Sequence, residues 1–108
     1  MFVVVFSTLF AKNVRGMAIY PFIFLKDKSL KNNPILINHE RIHLRQQIEM
    51  LWIFFFLWYG IEFLIRWIQF KNANLAYQNI SFEREAYANE MDLNYLKHRK
   101  FWAFLKYL

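Results

Sequence analysis

The hydrophobic positions of this chain fall into blocks that differ in length and periodicity. Phe2 to Phe6 is a short run of Phe and Val, which is typical of a buried strand. A second apolar stretch, Met17 to Leu25, contains Pro21, and proline favours an edge strand or a bent strand because it lacks an N–H. The pattern predicts that these two strands form a β-hairpin joined near residues 13–16.

A polar segment separates these strands from the first predicted helix. Lys26 to Asn33 is polar and charged, so we expect a loop there. Asn33 followed by Pro34 indicates a helix start, with Asn at the N-cap and Pro at the first helical position. The helix should continue at least to Glu49.

The longest apolar block follows this helix directly. Met50 to Ile61 carries no charge, and Glu62 and Arg66 interrupt the apolar pattern before Phe70. These two residues are four apart, so they can pair on one helix face. One unbroken helix over residues 34–70 would be about 55 Å long, whereas a compact domain of this size has a radius of gyration near 13 Å. We therefore expect a break at Gly60, or a helix that lies partly outside the protein's own core.

The last third of the chain predicts one more main helix. Lys71 to Ile80 is polar and indicates a loop with a helical turn at Leu75 to Tyr77. Ser81 is a favourable N-cap for a helix from Phe82 to about His98. An aromatic tail, Phe101 to Leu108, closes the sequence.

These elements predict a mainly α fold of the α+β class, with about three helices and a short N-terminal β-hairpin. The whole chain, residues 1–108, is short enough to be a single domain. Within it, residues 1–33 form the hairpin and loop, 34–70 the first helix and the apolar segment, and 71–108 the last helix and the tail.

Composition adds that this chain has more apolar surface than it can hide. Hydrophobic residues make up 57% and aromatic residues 21%, against about 45–50% apolar residues in ordinary soluble domains. The net charge is +6, which suits an anionic membrane surface or a nucleic acid. The aromatic residues lie in blocks with Leu and Ile, which favours the membrane and argues against nucleic acid.

The apolar block supports a position on a membrane or shallowly within it. Met50 to Ile61 is apolar on every side of a helix, but a single span needs about 20 such residues. An extension to Phe70 would include both Glu62 and Arg66. We expect peripheral or shallow insertion helped by the aromatic tail, with a single span as a further option. The soluble alternative is a homodimer that buries these faces mutually.

Candidate chemistry is concentrated in one motif. His39-Glu40-Arg41-Ile42-His43 has the pattern HExxH, and the chain has no Cys, so any metal site must use His, Asp or Glu. On a helix the two imidazoles lie on one face and can reach one metal ion. Glu40 lies beside them and can take a proton from metal-bound water. The alternative is a chance spacing of two hydrogen-bonded histidines.

A catalytic zinc needs a third protein ligand. His98 lies among Lys and Arg residues, whose charge opposes a divalent cation. A carboxylate is therefore expected, and Glu83, in the first turn of the last helix, is the best candidate, with Glu85 as the fallback. The alternative is that these acidic residues only interact with the helix dipole.

HExxH followed by a Glu on a later helix resembles the gluzincin metallopeptidases. The local pattern Glu83-x-x-Ala86 resembles the third-ligand motif of the CAAX-protease-type and antibiotic-sensor-type membrane gluzincins. The resemblance covers residues 34–50 and 81–95. It implies a zincin-like packing of the HExxH helix on the Glu-bearing helix and a peptide or protein substrate. It also implies that His39, His43 and Glu83 bind zinc and that Glu40 is the catalytic base.

The sequence departs from these families directly after the Ala. They usually have an Asp there, which orients a ligand histidine, and this chain has Tyr87. Metal-binding His normally donates its second ring N–H to a carboxylate or carbonyl. Glu90, seven residues after Glu83, can supply that carboxylate, and Asn94 continues the same face. Tyr87 and Tyr95 are candidates to stabilise an oxyanion, and the 17–25 strand can supply an edge for substrate.

Two functions remain in competition on these residues. The first is a zinc-dependent hydrolase, specifically a membrane-associated metallopeptidase that acts through zinc-activated water and the Glu40 base. The second is a non-catalytic membrane-associated or interaction protein with a structural or vestigial metal site. The absent Asp and the small size of the chain favour the second.

Overall fold

The computed structural model describes residues 2–5 and 15–108. Within these residues the chain forms three short strands and five α-helices. The strands are β1 (Phe2–Val5), β2 (Gly16–Ile19) and β3 (Phe22–Leu25). The helices are α1 (Pro34–Glu49), α2 (Ile53–Phe70), α3 (Ala73–Gln78), α4 (Ser81–Asn89) and α5 (Tyr95–His98). Short 3-10 helices span Lys28–Asn32 and Ala103–Tyr107. The mainly α, α+β prediction is confirmed.

The strand pairing differs from the predicted hairpin. The sheet order is β1-β3-β2, with β1 parallel to β3 and β2 antiparallel to β3. The tight hairpin therefore lies inside the 17–25 stretch and turns at Tyr20-Pro21, a cis peptide. The predicted hairpin between the first two apolar stretches was wrong. Strand β3 lies between β1 and β2, and β1 runs parallel to it, so tertiary packing decides the pairing. Most of the connection predicted for that hairpin, near residues 13–16, lies outside the described residues.

The predicted start of the first helix is confirmed. Asn33 is the N-cap of α1, and its side chain accepts a hydrogen bond of 3.1 Å from the backbone N–H of Leu36. Pro34 follows at the first helical position. The segment before it, predicted as a loop, contains the Lys28–Asn32 3-10 helix. The cap therefore determines where α1 begins, and so places the whole HExxH motif within the helix.

The long apolar helix breaks earlier than predicted. The chain leaves α1 after Glu49, turns at Leu51 and Trp52 with φ values of 52° and 62°, and runs through Gly60 without interruption. A glycine weakens a helix by only about 1 kcal/mol, so tertiary contacts on both sides of Gly60 are sufficient to hold it. The predicted Glu62–Arg66 pair is present, with Oε2 and Nη2 3.7 Å apart.

Helix α2 has one packed side and one open side. Phe55 and Trp58 contact Phe82 and Phe104 in a buried aromatic cluster. The opposite side is exposed, and 11% of the helix is buried in the protein. By length and composition α2 is able to cross a membrane. Its exposed large apolar side chains include Ile53, Phe54, Leu57, Ile61, Leu64, Ile65 and Ile68.

Glu62 is the charged residue that α2 turns inward. Its Oε2 accepts 2.6 Å from the backbone N–H of Ser81, and its Oε1 accepts 2.6 Å from the Ser81 hydroxyl. The Trp58 indole N–H also donates to Oε1, at 3.2 Å. A carboxylate at a helix N-terminus satisfies free N–H groups and suits the helix dipole. Ile80, not the predicted Ser81, therefore occupies the N-cap position of α4.

The last predicted helix is shorter than expected. Helix α4 ends at Asn89, and the chain turns before the short helix α5. The turn is held by Asn38 of α1, whose Nδ2 donates to the carbonyls of Glu90 and Asp92 at 2.8 and 2.9 Å. This contact between α1 and the chain after α4 is one that the local sequence pattern does not report.

Candidate metal centre

The candidate site forms where α1 packs on α4. Ile42 and Ala86 are fully buried in the contact between the two helices. Because Ala86 is small, the helices approach closely enough for side chains on neighbouring positions to meet. His39 and His43 from α1 thereby face Glu83 from the first turn of α4.

Three potential ligand atoms converge at this point. Nε2 of His39 and Nε2 of His43 lie 3.2 Å apart. Oε1 of Glu83 lies 3.2 Å from the first and 3.0 Å from the second. All three side chains are buried. This group of His39, His43 and Glu83 could hold a metal ion.

The other ring nitrogens have fixed roles. Gln46 Nε2 donates to the Phe82 carbonyl and to Glu85, at 3.1 and 3.0 Å, so its Oε1 must face His43. That Oε1 lies 2.8 Å from His43 Nδ1, which therefore carries the proton. Nδ1 of His39 donates in the same way to Glu90 Oε2, 3.1 Å away. In neutral imidazoles both Nε2 atoms then present lone pairs.

Two lone pairs and a carboxylate oxygen that face one another repel unless a cation or a proton lies between them. In a tetrahedral zinc site, ligand bonds of about 2.0–2.2 Å put neighbouring ligand atoms about 3.3–3.6 Å apart. The observed separations of 3.0–3.2 Å are a few tenths of an ångström shorter than this range. The donor set, two imidazoles and one carboxylate with outer hydrogen bonds, also suits zinc. The residues present therefore fit this metal.

The close approach of these side chains also shifts the pKa values of His43 and Glu83. Burial alone would lower the pKa of His43, but the charge and hydrogen bond of Glu83 outweigh it and raise the pKa to about 9. Burial alone would raise the pKa of Glu83, but His43 and His39 outweigh it and hold the pKa well below its usual range. The cluster therefore keeps one carboxylate ionised and favours positive charge at its centre.

Glu40 lies beside the three atoms and next to strand β2. Its Oε2 is 3.2 Å from the point where a Cβ on Gly16 would be, so any larger residue at position 16 would press on the carboxylate. Burial is the main cause that raises the pKa of Glu40, opposed by the charges of His43 and His39. A carboxylate with a raised pKa is a better proton acceptor than an ordinary one.

Two cavities meet at Glu40. One is mainly apolar, with a volume of about 310 Å³, and includes Ile19, Phe55 and Phe56. The other is mainly polar, with a volume of about 270 Å³, and includes Asn74, Gln78 and Glu90. Gly16, Glu40 and Tyr77 line both of them. A substrate that lies across Glu40 can therefore extend in two directions with different chemistry.

Three tyrosines surround the cluster, and sequence reasoning named only one of them. Tyr87 packs edge-on against the His39 ring, with centroids 4.6 Å apart. Tyr59 of α2 donates 2.7 Å to Glu83 Oε2, which holds the second carboxylate oxygen. Tyr77 of α3 lines both cavities and is hydrogen-bonded to Tyr87. No motif signals Tyr59 or Tyr77, because α2 and α3 meet the site only in the folded chain.

Four residues considered from the sequence lie outside the cluster. Asn94 is exposed, and its backbone N–H bonds the Asp92 side chain. Tyr95 donates to Glu85, and Glu85 pairs with Arg99 away from the two histidines. His98 is exposed and pairs with Asp92 at 3.0 Å. Asn94 was placed on the Glu83 face by extending α4, and because α4 ends at Asn89 the structure does not bring Asn94 to the cluster.

Comparison with protein-family profiles, curated protein sequences and solved structures finds no match to this chain. The resemblance to gluzincins therefore rests on the residues of the sequence alone.

Proposed function

We propose that this chain is a zinc-dependent hydrolase, a small metallopeptidase whose zinc is bound by His39, His43 and Glu83. The observation that carries the proposal is the convergence of their three ligand atoms within 3.2 Å of one another. Hydrogen bonds at the outer nitrogens support it, since they leave both Nε2 atoms free as ligands. Three protein ligands leave a fourth position for water, as in catalytic zinc sites.

When bound, zinc would polarise a scissile carbonyl and lower the pKa of its water. Glu40, which lines both cavities beside the ligand atoms, would accept a proton from the attacking water and return it to the leaving amine. Gly16 leaves room for the carboxylate to do so, because a Cβ at position 16 would lie 3.2 Å from Glu40 Oε2. Tyr77, which lines both cavities beside Glu40, is the candidate to donate a hydrogen bond to the oxyanion.

The substrate class that best suits this cleft is an extended peptide. Strand β2 is one of the two edge strands of the described sheet, and its residues Gly16–Ile19 border the apolar cavity. Gln47 of α1 already bonds the Ala18 carbonyl and the Tyr20 N–H, so the Gly16 end is the part that a peptide can pair with. Backbone pairing there would hold the scissile bond next to Glu40.

The membrane association proposed for this protein is supported by the open side of α2. Ile68 is 77% exposed, Ile53 65% and Leu57 58%, and a contiguous apolar surface of this kind is unusual on a soluble monomer. The net charge of +6 favours an anionic lipid surface. A homodimer that buries the same side of α2 is the alternative, and its mass in solution would distinguish it.

The test is hydrolysis of a mixed peptide library by the zinc-loaded protein in mild detergent, with cleavage read by mass spectrometry. Glu40→Gln should retain zinc and lose cleavage by a factor of at least about 100. Arg41→Gln, at the exposed neighbouring position, should cleave like the wild type. Cleavage by Glu40→Gln at the wild-type rate would overturn the mechanism. Zinc binding without any hydrolysis by the wild type would favour the structural, non-catalytic site.

A further inference from the structure

A separate cavity lies between α2, the turn after α1 and the C-terminal segment. It has a volume of about 760 Å³ and none of its lining residues borders the two cavities at Glu40. Helix α2 forms its floor, and the turn after α1 and the C-terminal segment form its walls. The side chains that define it are mostly apolar, among them Leu51, Leu57, Ile61, Trp102 and Leu108.

The shape of this cavity suits one long apolar chain. Its lining runs along α2 from Phe54 to Arg66, a distance of about 18 Å at 1.5 Å per residue. Its volume lies within the range of about 300–1,000 Å³ typical of small-molecule sites. Phe54, Leu57 and Ile61 line it and are also exposed, so the groove opens onto the apolar outer side of α2.

The polar groups of the groove lie at its ends. Arg66 lines one end, and its Nε is buried without a hydrogen-bond partner among the described residues. Its Nη1 donates to Gln69 Oε1 at 3.1 Å and its Nη2 lies 3.7 Å from Glu62 Oε2, so the Nε–H is the donor that remains for an anionic group. At the other end Glu49 pairs with Arg99 and has a second buried oxygen without a partner in the described chain. Each end therefore has a carboxylate paired with an arginine, and Arg66 is the arginine that lines the groove, so a negative headgroup is expected there.

We propose that this groove holds one acyl chain of an anionic phospholipid from the bilayer, with the lipid phosphate at Arg66. The groove opens on the apolar side of α2, the chain carries a charge of +6, and an acyl chain needs no hydrogen bonds from the walls. The site is independent of the metal centre, and the bound lipid would fix α2 against the C-terminal segment at the membrane surface.

The experiment is native mass spectrometry of the full chain, released from mild detergent after incubation with vesicles that contain equal phosphatidylglycerol and phosphatidylcholine. We expect one phosphatidylglycerol per monomer. Leu57→Trp fills the groove and should reduce lipid occupancy at least fivefold. Leu64→Trp, an equally exposed position of α2 outside the groove, should keep it. Arg66→Gln should lose the preference for phosphatidylglycerol over phosphatidylcholine.

Circular dichroism confirms that each variant is folded before its occupancy is compared. Equal lipid loss in Leu57→Trp and Leu64→Trp would overturn the groove as the site, since that loss would reflect the α2 surface in general. A lipid-free dimer from the wild type would overturn the proposal in favour of a second copy as the occupant. Retention of phosphatidylcholine as readily as phosphatidylglycerol by the wild type would overturn the role of Arg66.

Discussion

Nδ1 of His43 lies 2.8 Å from Oε1 of Gln46, three residues further along α1. The Gln46 amide is fixed in this orientation because its Nε2 donates to the Phe82 carbonyl and to Glu85. The Gln46 side chain therefore faces His43 with its acceptor oxygen and not with its amide N–H. This relationship fixes the tautomer of His43 and leaves its Nε2 available to a metal.

Replacing Gln46 should weaken metal binding without unfolding the protein. Loss of an outer hydrogen-bond partner typically costs about 10–100-fold in metal affinity, so we expect that decrease for Gln46→Met, measured by competition with a zinc chelator. The matched control is Gln47→Met, an equally buried neighbour whose side chain bonds strand β2 instead of a histidine. Wild-type zinc affinity in a folded Gln46→Met protein would contradict the role assigned to this amide.

Zinc content should depend on the three converging side chains and not on the third histidine. We expect about one zinc per chain in the wild type by elemental analysis and strong loss in His43→Ala and Glu83→Ala. His98→Ala should keep its zinc, because His98 is exposed and paired with Asp92. Zinc at about 100 times its Kd should also add about 2.7 kcal/mol to the unfolding free energy, visible as a higher Tm. Equal zinc content in wild type and Glu83→Ala would refute Glu83 as a ligand.

The gap beside Glu40 can be tested with the two glycines of the chain. Gly16→Ala would place a Cβ 3.2 Å from Glu40 Oε2 and push the carboxylate by a few tenths of an ångström. We expect kcat to fall about threefold to tenfold with zinc content unchanged, since small misplacements of a catalytic group are costly. Gly60→Ala is the control, because its Cβ would meet nothing within 4 Å. It should leave kcat unchanged and stabilise α2 by up to about 1 kcal/mol.

The buried pair of Glu85 and Arg99 should make the free energy of unfolding depend on pH in the acidic range. Burial alone would raise the pKa of Glu85, but hydrogen bonds from Arg99, Tyr95 and Gln46 outweigh it and lower the pKa below the ordinary 4.5. A group whose pKa is lowered on folding stabilises the protein above its unfolded pKa. That contribution is lost as the pH falls through the lower, folded value.

Glu85→Gln removes the charge that Arg99 needs, and breaking a buried pair typically costs about 3–5 kcal/mol. We expect a difference of this size from wild type in denaturant unfolding at pH 6, with chelator present to remove any metal contribution. The difference should narrow as the pH drops below about 4.5, because the Glu85 carboxyl of the unfolded wild type is then protonated and must lose its proton on folding. A difference that is constant from pH 6 to pH 3 would show that Glu85 does not titrate in this range.

Local chemistry allowed the sequence to predict where the first helix begins and which residues share its faces. The Asn33-Pro34 cap and the four-residue spacing of His39 and His43 depend on contacts within a few residues, so they hold whatever surrounds them. Glu83 was the preferred third ligand from the sequence, and its Oε1 lies 3.0 Å from His43 Nε2.

Tertiary structure alone decided how the strands pair and where the later helices begin and end. The partner of β1, the break at Leu51 and the end of α4 all depend on contacts between residues far apart in the sequence, which local propensity does not report. The same holds for Gly16, which is 24 positions away from the Glu40 carboxylate it accommodates. The sequence by itself determined the donor atoms and their spacing on α1. Only packing of α1 against β2 and α4 decided which other atoms meet them, because those distances are set by the whole fold.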